Sequence, residues 1–398
     1  MSPLITVLHA APPCAYLVRM PIKKSGASRA LKWPLLLAGI ILCATATPLI
    51  AYDINDRLVI GGVAAGAWQC QELSEGAGSA DACRGALPFR PHLDYRPTAS
   101  DRLYTEFAFA AGNGLNEVSP FRISPWAADL EDDVKNLNNN GRNYLVTAWY
   151  RHTFRFSTEN TVAATVGIID STDYLDNNIY ANDEYTQFLN EALVNSPQIS
   201  LPSYAPGAAV QWDVDRWSLR AVYMNVGKEE DETSGDSYNY IGLEAGYSLQ
   251  TSLGNGNYRA FFTSTSSDFP DPSGSRAERR TVAGISFDQE LADGLGAFIR
   301  VISQSDKPAV SYDALYLGGL DIRGSRWGRK NDNIGLGIGY LHGGNLDIDS
   351  THLAETYYRF VINEHFALTA DLQYMRDDVR IDQGPEGFIV GLRADAHF

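Results

Sequence analysis

From residue 58 onward the chain alternates between apolar and polar positions. Over 144–156, Val146, Ala148, Tyr150, Phe154 and Phe156 are separated by Thr147, Trp149, Arg151, Thr153 and Arg155. Over 366–374, Phe366, Leu368, Ala370, Leu372 and Tyr374 interleave with Thr369, Asp371 and Gln373. The last stretch sets Phe388, Val390, Leu392, Ala394, Ala396 and Phe398 against Gly391, Arg393, Asp395 and His397. A period of two predicts strands with two unlike faces. Beyond residue 51 no apolar run reaches the length of a membrane helix, and no 3.6-residue period is sustained. The pattern recurs at 58–70, 88–95, 102–110, 144–156, 161–170, 208–214, 218–227, 239–250, 258–265, 281–289, 297–304, 314–321, 333–340, 354–362, 366–374 and 387–398.

The connections alternate in length. Short ones fall at 96–101, 157–160, 215–217, 251–257, 290–296 and 363–365, and long ones at 71–87, 111–143, 171–207, 228–238, 266–280, 341–353 and 375–386. Only 322–332 is long for its class. This parity predicts an all-β, transmembrane, antiparallel up-and-down β-barrel of about 16 strands, with short periplasmic turns and long extracellular loops. Lipid offers no partner to polar groups, so the apolar face points outward. A barrel of this size encloses water rather than a packed core.

Segment 171–207 mixes Asp173, Asp176, Asp183, Glu184 and Glu191 with Tyr174, Tyr180, Tyr185 and Phe188, and contains no Lys or Arg. It is expected to fold into the lumen; the alternative is an outer loop packed against its neighbours. Pore-lining candidates are Asp170, Asp173, Asp176 and Glu184 from this region. The wall adds Glu106, Trp149, Arg151, Arg155, Arg220, Glu355, Tyr357, Arg359, Asp371, Gln373 and Arg393. Opposed arginines and carboxylates set a field across a pore and hydrogen-bond to sugar hydroxyls, while Trp and Tyr faces stack on pyranose rings. The competing reading is cross-strand pairing that only steadies the wall.

Residues 1–51 differ from the rest. Arg19, Lys23, Lys24, Arg29 and Lys32 precede the apolar run 35–42 and small residues around Ala44–Ala46, with no acidic residue. This reads as a cleaved signal peptide, with Met20 as an alternative start and a single membrane anchor as the competing reading. Setting those five cations aside takes the formal net charge from -16 to -21. So acidic a chain is a poor partner for nucleic acid. The two remaining cysteines, Cys70 and Cys83, share the polar stretch 69–85, and export predicts a disulfide between them closing a short loop.

No cofactor is implied and no enzyme signature stands in its proper context. Gly335-Leu336-Gly337-Ile338-Gly339 has no helix after it, and is read as small lumen-side residues. Asn345, Asp347 and Asp349 lack the glycine and terminal glutamate of a calcium loop. His152 is the one candidate for a hydrolytic centre on the barrel rim. An adhesive or structural barrel remains a further alternative.

Three C-terminal fragments carry a resemblance. Glu355-Thr356-Tyr357-Tyr358-Arg359-Phe360, Ala367-Leu368-Thr369-Ala370-Asp371-Leu372-Gln373-Tyr374 and Gly391-Leu392-Arg393 resemble the OprB-type carbohydrate-selective porins. Gly167-Ile168-Ile169-Asp170, through Tyr174 and Asn182, is similar to that family's strand leading into its constriction loop. The resemblance spans most of 52–398 and is sharpest over the last fifty residues. It implies a passive channel for glucose and related sugars in a Gram-negative outer membrane, surrounded by lipopolysaccharide. Insertion by the barrel-assembly machinery, reading Phe398, and a homotrimer are expected by analogy. The acidity departs from the family picture and leaves open a general, cation-leaning porin.

Overall fold

The computed structural model describes residues 52–398 apart from 75–79, 136, 138–143, 196–200, 228–236 and 382. The leader read over 1–51, and Met20 with it, lies outside the described residues. A short strand, β1 (Tyr52–Asn55), precedes the wall. The wall begins with β2 (Leu58–Leu73), β3 (Ala82–Tyr95), β4 (Asp101–Phe107) and β5 (Phe109–Ala111). β6 (Leu145–Ser157), β7 (Asn160–Ile169), β8 (Ala205–Val214), β9 (Trp217–Gly227), β10 (Ser237–Gln250) and β11 (Asn255–Pro270) follow. Next come β12 (Ala277–Ala292), β13 (Leu295–Gln304), β14 (Tyr312–Arg323), β15 (Asn333–Gly343), β16 (Ile348–Val361), β17 (Phe366–Val379) and β18 (Glu386–His397).

β4 and β5 are one strand interrupted at Ala108, since both pair with β3. Counted so, and with β1 set aside, sixteen antiparallel strands form the wall. β18 closes the ring on β2, in register from Gly387 opposite Leu73 to His397 opposite Val63. Closure leaves no sheet edge, which is the condition for placing strands in hydrocarbon. Each of the sixteen alternating segments falls on one of these strands.

The faces sort as the alternation predicts. Val166, Ile241, Phe262, Ile299, Ile338, Leu372 and Val390 are exposed on the outer wall. Asp288, Arg300, Gln373 and Arg393 alternate with such residues and are buried inside. A charge completely covered inside a water-filled barrel needs something lying over it. Two infolded connections supply that cover.

Several long connections shorten. The strands run on to Leu73 and from Ala82, to Pro270 and from Ala277, to Gly343 and from Ile348, and to Val379 and from Glu386. Above the lipid belt both faces of a strand meet water, so alternation fades while the hydrogen-bond ladder continues. The expected disulfide is present, and it closes the short β2–β3 connection from within the ladder. Cys70 lies directly opposite Cys83 in the β2–β3 ladder, with the Cα atoms 4.0 Å apart, and cross-links paired strands. The long turn at 322–332 coils into a 3-10 turn, Gly324–Trp327, ended by Gly328 at φ 83°.

The terminal aromatic sits at the seam. Gly62 N donates to Phe398 O at 2.8 Å and Phe398 N to Gly62 O at 3.1 Å, and the Phe398 ring stacks on Phe89 at 5.8 Å. Deleting Phe398 is expected to lower the amount of barrel found in the outer membrane. Quantitative immunoblotting of membrane fractions checks this; unchanged levels would refute it.

Candidate pore site

The described parts of the connection from Asp170 to Tyr204, as far as Asn195 and again from Leu201, do not leave the barrel. They form a strap along the inner wall, pinned strand by strand. Asp176 N donates to Glu244 of β10 at 2.7 Å, and the Asp176 carboxylate pairs with Arg300 of β13 at 2.6 Å. Arg300 also donates to Ala181 O at 2.9 Å. On β16, Glu355 accepts from Leu189 N at 2.6 Å and Asn190 N at 2.9 Å. Asn190 Nδ2 donates to Gln373 of β17 at 3.1 Å. On β18, Arg393 donates to Glu184 O and Gln187 O, each at 2.9 Å.

Apolar groups seat the same strap. Phe188 meets Phe298 and Tyr357 edge-on at 5.7 and 5.1 Å, and Phe188 and Leu193 are almost wholly buried. A Cβ on Gly337 would lie 2.8 Å from Leu193 and 2.9 Å from Phe188, so the glycine there is a seat for the strap. Burying a Leu or Phe side chain is worth about 1.5–3 kcal/mol, against roughly 1 kcal/mol net for a hydrogen bond. Apolar contact therefore supplies much of the strap's adhesion, and the polar pins fix its position.

A second segment, described from Gly112 to Lys135, lies over the first. Pro125 O accepts from Gln69 at 3.0 Å and from Gln373 at 2.9 Å. Trp126 Nε1 donates to Glu184 O at 3.0 Å, and Ala127 N to Leu189 O at 2.8 Å. Its one-turn helix, Glu131–Lys135, buries Val134.

Between the segments and the β2–β4 wall is a polar cavity of about 550 Å³. Glu106 from the wall, Asp129 and Asp133 from the second segment, and Asp170, Asp173, Asp183, Glu184 and Glu191 from the strap all line it. Arg90 is the one basic residue in that lining. It pairs with Glu106, and its Nη1 reaches Asp129 at 2.6 Å and Tyr204 at 3.0 Å. Enclosure inside the barrel, together with the Asp183 charge, pushes the Glu184 carboxyl up to about 8. Enclosure and Asp129 push Asp133 to about 7. The neighbouring Asp170 and Asp173 are both raised, chiefly by enclosure, with the charge of Asp170 adding to the effect on Asp173.

The structure brings Asp170, Asp173 and Glu184 together at the cavity. Asp176, Glu355 and Gln373 face inward, but the strap covers them and they hold it. Asp371 lies beside Gln373, which donates to it at 3.1 Å. Tyr357 lies under Phe188, and Arg359 pairs with Asp395 at 2.7 Å. Trp149 offers no free face. Tyr104 stacks on it at 5.2 Å, and the guanidinium groups of Arg102 and Arg151 lie 5.3 and 4.9 Å from its ring. Arg155 and Arg220 sit toward the short-turn end, bonded to Ser100 and Asp213.

Asp347 and Asp349 pair with Arg122 and Arg380. His152 bonds Asp101 at 2.7 Å on the outer face. Sequence reasoning missed Arg90, Asp129, Asp133, Arg300 and the infolding of the second segment. Arg300 carried a signal, as a lone charge between Ile299 and Val301. So did Arg90, in alternation with His92 and Asp94.

A closed sixteen-stranded wall, apolar outside, with two connections folded over a polar interior, defines a channel-forming barrel of the outer membrane. The model of the carbohydrate-selective porin, OprB family, matches residues 127–398, and the chain belongs to that family. An uncharacterized protein of Aquifex aeolicus (strain VF5) is 28% identical over 319 residues, covering 79% of this chain and 90% of that protein. Among solved structures, Pseudomonas putida OprB at high pH superposes with a TM-score of 0.68 at 14% identity, covering 86% of this chain and 94% of that one. The outer membrane channel DcaP of Acinetobacter baumannii gives 0.55 at 11% identity, covering 88% and 100%. At such identities the likeness is one of fold.

Two outcomes follow from the strap and its charges. Replacing Arg300 with Met strands the buried Asp176 carboxylate, a loss of about 3–5 kcal/mol for a broken buried pair. The strap should loosen while the wall stays closed, giving a noisier single-channel current and new protease cuts within 171–204; adding Asp176→Asn should restore part of the quiet current. The raised carboxyls stay neutral below their shifted values and ionise as pH rises through them. Cation preference, read as reversal potential in a salt gradient, should therefore grow from about pH 6 to about pH 9. Glu184→Gln should flatten the upper part of that curve.

Proposed function

We propose that this porin passes small carbohydrates by passive diffusion across the outer membrane into the periplasm, after export through a cleaved signal peptide. The observation that carries this is the cavity between strap and second segment, whose lining is carboxylates, amides and hydroxyls rather than an apolar plug. A monosaccharide presents hydroxyls in every direction. Asp170, Asp173, Glu184, Asn177 and Asn182 supply acceptors for them, and the Asn side chains supply donors as well. The carbohydrate class named for the family supports the same reading. On β6, toward the short-turn side, Arg151 and Arg155 are read as the wall groups that the solute meets after the cavity. Insertion by the assembly machinery, contact with lipopolysaccharide and a trimeric state belong to the same proposal.

Purified protein in a planar bilayer should give stepwise conductance that falls as glucose is added. Liposomes carrying it should swell faster in a monosaccharide than in a long oligosaccharide. A barrel that conducts nothing would return the adhesive reading; conduction indifferent to every sugar would leave a general porin.

A further inference from the structure

The balance of charge at the cavity goes beyond what passage of a neutral sugar needs. Eight carboxylates face one guanidinium, and Arg90 is already bound to two of them, Glu106 and Asp129. No ion pair reaches Asp133, Asp170, Asp173, Asp183 or Glu184 among the described residues. Backbone or hydroxyl donors serve some of these: Leu130 N donates to Asp133 at 2.9 Å, Thr172 N to Asp170 at 2.9 Å and Tyr185 N to Asp183 at 2.7 Å. The carboxylates of Asp173 and Glu184 take no hydrogen bond from another described residue.

A second observation points to an occupant. Tyr185, only 7% exposed, lines the same cavity, and its hydroxyl has no hydrogen-bond partner. The hydroxyl lies beside the Arg90 guanidinium without hydrogen-bond geometry. A buried hydroxyl left unbonded costs about 1–3 kcal/mol, which a solute group can relieve.

The geometry also says what size of cation suits the site. Among the described residues, no three Asp, Glu, His or Cys side chains converge closely enough to hold a metal ion. The carboxylates are spread round a space of about 550 Å³, within the range that encloses a small organic molecule. Carboxylates only accept hydrogen bonds, so the complementary solute is rich in donors and carries positive charge.

We propose that this cavity selects small polyhydroxylated solutes bearing a protonated amine, amino sugars foremost, over neutral sugars of the same size. The proposal rests on the channel reading above and names the solute class that the same site prefers. An ammonium group entering the lumen gains from the summed field of the strap carboxylates, which focuses counter-charge into the narrow space. It would also hold the raised carboxyls in their ionised form, so entry of the amine and loss of a proton go together.

Glucose and glucosamine form the probe pair, nearly equal in shape and different in charge. Their radiolabelled uptake into proteoliposomes carrying the full mature chain is measured near pH 7. At low salt, glucosamine should enter about tenfold faster than glucose, and the ratio should shrink toward unity at about 1 M salt, where screening shortens to a few ångströms. The Asp173→Asn/Glu184→Gln variant should bring the glucosamine-to-glucose uptake ratio close to unity, a ratio in which any change common to both sugars cancels, while heat-modifiable migration on a gel certifies that its barrel is folded. Equal uptake of the two by the wild type at low salt, with glucose still passing, overturns the proposal and leaves the channel reading intact. A variant that slows both sugars alike overturns it too, since the carboxylates would then only shape the pore. If neither sugar enters, the channel reading falls, and this proposal with it.

Discussion

A backbone amide surrounded by hydrocarbon can bond only to another part of the same protein. Sixteen strands closed through the β18–β2 ladder meet that condition for the wall. The same closure decides the interior. Strands that show lipid one face must show the other to the lumen, so the polar half of every alternation gathers inside, where it needs water or partners of its own. The ring of inward charges on β10, β13, β16 and β18 is the result.

The strap turns that interior chemistry into a shaped passage. Fully buried ions such as Arg300 and Asp176 are costly to desolvate, and they persist here because each has a close, opposite partner. Their value lies in position rather than adhesion. Phe188 and Leu193 would bind many apolar surfaces, whereas a guanidinium that must meet both Asp176 and Ala181 O fits one arrangement. With the strap fixed on the far wall, its acidic edge is left facing Arg90 and the open cavity.

Alternation made the wall readable, because each strand segment between the lipid boundaries has one apolar face, as at 366–374. It could not mark where β11, β15 or β17 end, since beyond the lipid belt nothing enforces the contrast between faces. It also placed Glu355, Gln373 and Arg393 in the lumen without revealing that the strap lies over them. Inward direction is a local property of a strand, while cover comes from residues roughly two hundred positions away. The acidic character of 171–207 was legible because composition alone carries it. The second segment's role was not, for Trp126 and Pro125 act through contacts with the strap that leave no period in the sequence.

The strap's anchors lie late in the chain. Leu189 bonds Glu355 across 166 positions, and Glu184 bonds Arg393 across 209. Neither contact exists until β16 and β18 have joined the wall, and bringing such distant residues together is slow. The strap can therefore be fully seated only once β18 has closed the wall, because its anchors on β16 and β18 are the last to become available. On this view the final hairpin does two jobs, sealing the membrane and setting the bore.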